Sequence, residues 1–136
     1  MWQPITRPMH GIAEAAYIPA IASAPETVGF TEEETATTLC RAIGGMALTS
    51  SLVTKAEWGA VQVMPYKTHL TIDFVTSAFT LAAPWLFGFS RNEKARNSFI
   101  AMGLTGLVVG LLSRPEEMDP AKVRRLRRKA DTHPAL

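Results

Sequence analysis

The chain has 136 residues, of which 47% are apolar and only 19% are charged, and its formal net charge is +2. The length fits one domain, and the charged fraction lies below the quarter that is typical of soluble domains. A single cysteine, Cys40, excludes an intrachain disulfide, and we expect it to be a small buried apolar side chain.

The charges are segregated along the chain. Residues 36–54 contain one charge, Arg41, residues 70–89 contain one, Asp73, and residues 97–113 contain none. The remaining charged residues collect in the short links and in the C-terminal region. This alternation is typical of small polytopic membrane proteins.

The two halves of the chain are copies of each other. A shift of 59 positions aligns them without a gap, and it pairs His10 with His69 and Glu14 with Asp73. The first copy covers residues 10–55 and the second covers 69–114. The further matches include Ala24-Pro25 with Ala83-Pro84, Gly29-Phe30 with Gly88-Phe89, Gly44 with Gly103, and Lys55 with Arg114. A repeat of this kind predicts two helix pairs, one from each copy.

The first copy predicts two helices. Helix one runs from about Met9 to Ala24; it contains Glu14 and should be kinked at Pro19. Thr31 and Glu34 have the spacing of a capping box, so helix two should begin there and run to about Lys55.

An ordered loop over residues 56–68 then leads to the second copy. Helix three runs from about Thr68 to Phe87, with Pro84 and Trp85 at its end. Ser90 and Glu93 repeat the capping-box spacing, and helix four runs from about Asn92 to Ser113.

Asp119 and Pro120 predict the start of a short basic helix in the tail. The fold class expected is therefore all-α: four transmembrane helices from two tandem hairpins with quasi-twofold symmetry, plus a short basic C-terminal helix. Residues 1–114 form the membrane domain and 115–136 the tail. Basic residues near the span ends favour both termini in the cytoplasm.

Small and aromatic residues predict how the helices pack and where they meet the headgroups. Small residues allow close helix packing in lipid, and Trp and Tyr favour the membrane boundary. The predicted packing positions are Gly44, Gly45, Gly103, Gly106 and Gly110; the predicted interfacial anchors are Trp58, Tyr66 and Trp85.

Four ionisable side chains are candidates for chemistry. His10 and Glu14, and likewise His69 and Asp73, are one helical turn apart and share a helix face. If both pairs face inward, they could bind a metal ion, relay protons or ligate a haem through the two histidines. In the alternative interpretation each carboxylate only satisfies its own histidine or a neighbouring helix.

The isolated basic residues have simpler expectations. Arg41 should snorkel to the acidic face, the side on which Glu26 and Glu32 to Glu34 lie, or pair with Glu33 or Glu34. The basic tail should contact anionic lipid or an acidic subunit through Arg124, Arg125, Arg127 and Arg128, and nucleic-acid binding is disfavoured. No phosphate loop, nucleophile elbow, CxxC or HExxH is present, so an enzyme is not expected.

The segment Ala83-Pro-Trp-Leu-Phe-Gly-Phe89, preceded by His69 and Asp73, resembles the SPW-repeat family of small bacterial membrane proteins. The second copy matches it well, although Ala83 replaces the serine. The first copy is degenerate, because Glu26 replaces the tryptophan. The resemblance implies two transmembrane helices per repeat, a location in the bacterial inner membrane and no catalytic residue.

These observations predict a small accessory or scaffold subunit that packs against a larger membrane complex, for example a respiratory or photosynthetic one. The alternative is a small transporter or a proton, metal or redox element that uses the two histidine–carboxylate pairs. No cofactor is required by the sequence.

Overall fold

The computed structural model describes residues 1–133, and over that range the protein is all-helical, as predicted. The helices are α1 Arg7–Ala24, α2 Glu34–Leu52, α3 Tyr66–Leu86, α4 Glu93–Leu112 and α5 Pro120–Thr132. A π-helical turn, Pro25–Gly29, extends α1. The loop between α2 and α3 forms an isolated β-bridge and no strand.

The sequence repeat is reproduced in the backbone. α1 packs mainly on α2, and α3 on α4, so each copy forms a helical hairpin. Gly29 and Gly88, which are equivalent positions, both adopt a positive φ, of 91° and 75°. Glycine reaches this region without a steric penalty, and here it reverses the chain between the helices of each hairpin.

Two isolated β-bridges join the copies. One links Ile5 to Ser113, and the other links Thr54 to Met64. The two bridges are equivalent, because Ile5 corresponds to Met64 and Thr54 corresponds to Ser113 under the shift of 59 positions. Each bridge therefore ties the start of one copy to the end of the other, as a quasi-twofold axis requires.

The predicted capping boxes at Thr31 and Ser90 are wrong. Both residues lie in a tight turn, because the backbone N–H of Glu33 donates to Phe30 O and that of Asn92 to Phe89 O, each at 3.0 Å. The helices therefore begin after these turns. α2 has no side-chain cap, whereas the Asn92 side chain accepts a hydrogen bond from the α4 backbone.

Two further predicted helix boundaries agree with the structure. Asp119 caps α5 and Pro120 opens it. α3 ends at Leu86, within one residue of the predicted Phe87, and Pro84 lies inside its last turn. The positive φ of Gly88 follows immediately, so glycine rather than proline reverses the chain.

The two ends of the bundle differ in chemistry. Near the short links, an apolar core surrounds Phe30, Phe89 and Phe99, and the last two rings pack edge to face at 4.9 Å. Cys40 is fully buried in this core, which confirms its apolar role. The opposite end, where the chain begins and α5 lies, is polar inside.

Three of the five predicted packing glycines are in tight contacts. A Cβ on Gly103 would lie 2.8 Å from the backbone N of Leu81, one on Gly44 would lie 3.2 Å from Ala22 Cβ, and one on Gly106 would meet the Ser77 hydroxyl. The prediction does not hold within the chain for Gly45 and Gly110, because a Cβ there meets no atom within 4 Å of the described residues. Gly45 is exposed, whereas Gly110 is half-buried beside open space.

The prediction of four membrane-spanning helices is not supported by the length and composition of the described helices. Within residues 1–133, one helix, Glu93–Leu112, is long and apolar enough to cross a membrane by length and composition. The other long helices fall short of that standard; α3, for instance, includes His69 and Asp73. Many large apolar side chains are nevertheless exposed along all four helices, among them Ile12, Met46, Leu48, Phe74, Val75, Phe79, Leu104, Val108 and Leu111.

Candidate functional site

The four ionisable residues of the two pairs meet inside the bundle, and we call them the histidine–carboxylate centre. His10 Nε2 lies 3.1 Å from Asp73 Oδ2. His69 Nε2 lies 3.2 Å from Glu14 Oε2 and also 3.2 Å from Asp73 Oδ2. Each histidine thus faces a carboxylate of the other copy, a crossed arrangement that follows from the quasi-twofold axis.

Three hydroxyl groups contact the far nitrogens of the imidazoles. His10 Nδ1 lies 2.9 Å from Ser113 Oγ, whereas His69 Nδ1 lies 3.0 Å from Ser50 Oγ and 3.1 Å from Thr54 Oγ1. Thr54 and Ser113 are equivalent positions at the ends of α2 and α4. The histidines are therefore held in matching orientations by residues of the opposite copy.

The hydrogen bonds of these hydroxyls assign the imidazole protons. Thr54 and Ser113 each donate to the carbonyl four residues earlier, at 2.6 Å. Their oxygens are then left to accept, so we assign a proton to Nδ1 of both histidines. Nε2 of each ring faces the carboxylates and is the nitrogen that could hold a further proton or bind a metal ion.

The centre is not perfectly symmetric. Glu14 accepts a hydrogen bond of 2.9 Å from the Ser51 hydroxyl, and its side chain is 7% exposed. The position equivalent to Ser51 is Gly110, which has no hydroxyl, and the Asp73 side chain is 19% exposed. Asp73 is therefore the more accessible carboxylate of the two.

An aromatic layer covers the imidazoles toward the polar end of the bundle. Tyr66 stacks on His69 with ring centroids 6.1 Å apart, and Trp58 stacks on His10 at 6.3 Å. Tyr66 is fully buried, and the Trp58 Nε1 atom is also buried without a hydrogen-bond partner among residues 1–133. The prediction that these two residues anchor the protein in the headgroups is wrong, because they pack on the histidines. Trp85 is 58% exposed, so its anchoring role stays a prediction.

A charged network lies over the aromatic layer. Arg7 donates two hydrogen bonds of 2.8 Å to Glu57, and Lys122 of α5 adds a third at 3.0 Å. Glu117 accepts from the first two backbone N–H groups of α3, at 2.8 Å each. The hydrogen bonds from Arg7, with a smaller contribution from Lys122, lower the pKa of the Glu57 carboxyl to about 2.

This lowered pKa predicts acid sensitivity. Because the folded protein holds Glu57 ionised more strongly than the unfolded chain does, its contribution to stability is present above pH 4.5 and is lost as the pH falls toward 2. In melting experiments between pH 6 and pH 3, Glu57→Gln should lower the melting temperature at pH 6, and this difference from the wild type should shrink with acidification. The exposed Glu32→Gln is the control; an equal difference at all pH values would contradict the prediction.

The basic residues of the tail differ in their surroundings. Arg127 donates to the Gln62 backbone carbonyl, which ties α5 to the loop after α2. Arg124, Arg125 and Arg128 are exposed. Arg127 therefore makes a contact within the chain, and the other three arginines are the ones that could contact lipid or another protein.

Of the two expectations for Arg41, the contact with the acidic face is met by Glu26, and the pairing with Glu33 or Glu34 is wrong. Arg41 pairs with Glu26 in the π-helical turn and donates to the Ala22 carbonyl. Glu33 and Glu34 are not its partners, because α1 and its extension pack directly beside α2. Arg41 closes the first hairpin and is remote from the centre in sequence and structure.

A cavity of about 80 Å³ adjoins the centre on the side away from the aromatic layer. His10, Glu14 and Asp73 line one part of it, and Tyr17 and Ser77 line another. This volume suits an ion with a few water molecules, since water occupies about 30 Å³ per molecule in the liquid. A haem does not fit, because the His10 and His69 rings contact each other edge to face at 5.4 Å and leave no gap for a macrocycle.

The sequence analysis missed the hydroxyl and aromatic residues of the site. Thr54 and Ser113 are related by the same shift of 59 positions that identified the histidines, so the repeat could have identified them. Ser51, Trp58 and Tyr66 carry no such signal. They reach the centre through the fold of the loop and the helix ends.

No protein-family model matches the chain, and neither a curated protein nor a solved structure is detectably similar to it. The resemblance to the SPW-repeat family stays a prediction.

Proposed function

We propose that this chain is a four-helix integral protein of a bacterial inner membrane that holds cations, either protons or a metal ion, at the histidine–carboxylate centre. The observation that carries the proposal is the convergence of two imidazoles and two carboxylates inside the bundle. Ionisable groups inside a membrane are costly and are usually retained for function. Two buried carboxylates also require positive charge, which two protons or one divalent ion would supply.

The membrane location is supported by the exterior of the bundle. Large apolar side chains such as Phe74, Val75 and Val108 are exposed on the helices, whereas polar groups of α1 and α3 meet inside. A soluble protein rarely exposes apolar surface on this scale. In the proposed orientation the centre lies near the cytoplasmic end, below the aromatic layer and α5.

Cysteine labelling tests the four spans. In a Cys40→Ala background, a cysteine is introduced at Glu32, Lys55 or His133, and intact spheroplasts are treated with a membrane-impermeant maleimide. The Glu32→Cys variant should react in intact spheroplasts, and the other two only after permeabilisation. If Glu32 and Lys55 are found on the same side, α2 does not span the membrane and the proposed topology is wrong.

The accessory-subunit function is a second candidate, favoured by the exposed Gly45, where an added Cβ meets no atom within 4 Å among residues 1–133. Small residues on an outer helix face permit close contact with a helix of another protein. On this proposal, Gly45→Leu leaves the bundle folded but releases the protein from a complex on native gels after mild detergent extraction. Unchanged migration of the Gly45→Leu variant would contradict it.

The exposed arginines of α5 predict binding to anionic lipid. Each basic residue near an anionic surface contributes about 1 kcal/mol, so replacing Arg124, Arg125 and Arg128 by glutamine should cost about 3 kcal/mol of binding. A synthetic peptide would lack the loop that holds α5, so the full chain in nanodiscs with and without anionic lipid is the suitable material. In the wild type, protease should cleave α5 more readily in neutral nanodiscs than in anionic ones. In the triple variant, cleavage of α5 should be the same in both kinds of nanodisc. Equal accessibility of the wild type in both lipids would contradict this prediction.

A further inference from the structure

The geometry points to a binding site for one divalent first-row transition metal ion at the histidine–carboxylate centre, with His10, His69, Asp73 and Glu14 as the ligands. This inference rests on the proposed function and names the cation of that centre. A set of two imidazole nitrogens and two carboxylate oxygens suits Zn²⁺ and its neighbours in the first row, rather than Mg²⁺ or Ca²⁺, which prefer oxygen ligands alone.

The first argument is the spacing of the ligand atoms. The ligand atoms of His10, His69 and Asp73 all lie within 4.8 Å of one another. His10 Nε2 lies 3.1 Å from the Asp73 carboxylate. His69 Nε2 lies 3.2 Å from the Glu14 carboxylate and 3.2 Å from that of Asp73. In a tetrahedral site with bonds of about 2.0–2.2 Å, adjacent ligand atoms lie about 3.3–3.6 Å apart. His10, His69 and Asp73 therefore approach such a site already. Glu14 is near His69 but outside that set of three, so its carboxylate would have to move by about 1 Å or more to become the fourth ligand.

The second argument is an unpartnered buried atom. His69 is fully buried, and its Nε2 atom has no hydrogen-bond partner among residues 1–133. Two carboxylate oxygens lie at 3.2 Å, but neither is placed along the direction in which an N–H would donate. A ring nitrogen directed between two carboxylates requires a positive charge at that point, which a bound metal ion would supply.

The third argument is the support behind the ligands. Histidines that bind a metal through one nitrogen usually donate the N–H of the other to a nearby oxygen, which fixes the ring. Thr54 and Ser113 accept such bonds from His69 and His10, and Ser51 donates to Glu14. Both Nε2 atoms are thereby oriented toward the carboxylates before any ion binds.

The fourth argument is charge and access. Two carboxylates and one divalent ion sum to zero with neutral imidazoles, so the ion would remove the cost of the buried negative charges. The cavity beside Asp73 and Glu14 provides room for an entering ion and its remaining water. The aromatic layer of Trp58 and Tyr66 closes the opposite side.

The test is metal binding by the full chain in detergent micelles, with Zn²⁺ alone and Co²⁺ alone as probes. We expect one equivalent per chain, a visible Co²⁺ spectrum of a low-coordinate site, and a rise in the melting temperature of the wild type on addition of Zn²⁺. His10→Gln and His69→Gln should each weaken binding by about 100-fold or more, while Thr54→Val and Ser113→Ala, which keep all four ligands, should weaken it by about 10–100-fold. His133→Gln, a change at an exposed histidine of the tail, is the matched control.

Absence of saturable binding by the folded wild type, or binding that is equal in His69→Gln and His133→Gln, would overturn the metal site. Nitrogen-15 spectra of the metal-free protein then separate the two proposals. If both imidazoles carry two protons, the centre holds protons and the proposed function stands without a metal. If both are neutral, the proposed function fails as well.

Discussion

Replacement of His69 by leucine is expected to lower the free energy of unfolding by about 3–5 kcal/mol, the usual cost of removing one partner from a buried charged cluster. His69 Nε2 is 3.2 Å from both Glu14 and Asp73, so its loss leaves two buried carboxylates with a single imidazole between them. Leucine has a similar size, which limits the contribution of a cavity. Equilibrium unfolding in mixed detergent micelles measures the change.

A double-mutant cycle separates charge from packing. Combining His69→Leu with Glu14→Leu removes both members of one crossed pair, and we expect the double variant to be more stable than the sum of the single changes by about 0.5–3 kcal/mol. Combining His69→Leu with Glu57→Leu, which lies in the outer network, should be additive. If His69→Leu alone costs less than about 1 kcal/mol, the imidazole does not compensate the carboxylates and the account of the centre is wrong.

The second large effect is expected at Gly103. A Cβ there lies 2.8 Å from the backbone of Leu81, and backbone cannot give way as a flexible side chain can. Overpacking of this kind costs about 1–3 kcal/mol for a small group, so we expect Gly103→Ala to destabilise in that range and Gly103→Leu to separate α3 from α4.

The chain supplies its own controls for this prediction. Gly110 lies on the same helix, and an added Cβ there meets no atom within 4 Å among residues 1–133, so Gly110→Ala should stabilise the helix by up to about 1 kcal/mol. The opposite signs at two glycines of one helix would show that packing, and not helix propensity, decides the outcome. Equal effects at Gly103 and Gly110 in thermal melts would contradict the contact between α3 and α4.

The repeat is the part of the sequence that predicted most. Because equivalent residues occupy equivalent places, the pairing of His10 with His69 was enough to predict two hairpins and to expect the imidazoles at one level. The helix starts were less predictable. Thr31 and Ser90 have the spacing of a capping box, but the reversals at Gly29 and Gly88 place them in turns before the helices.

Long-range contacts were beyond the sequence analysis. Trp58 and Tyr66 have the composition of headgroup anchors, yet the loop after α2 folds over the bundle and stacks both rings on the histidines. Arg41 had three glutamates within reach along the chain, and it pairs with Glu26 because α1 packs beside α2. The acidic residue that pairs with Arg41 depends on how α1 packs against α2. The spacing of residues along the sequence does not determine that packing.

The crossed contacts of the centre have a consequence for its origin. A single hairpin carries one histidine, one carboxylate and one terminal hydroxyl, and each histidine finds its facing hydroxyl only in the opposite copy. An ancestral half-length chain could have built this arrangement only by pairing with an identical chain. Gene duplication and fusion would then have turned an obligate homodimer into one polypeptide, after which Ser51 and Gly110 were free to diverge and the two carboxylates to become inequivalent.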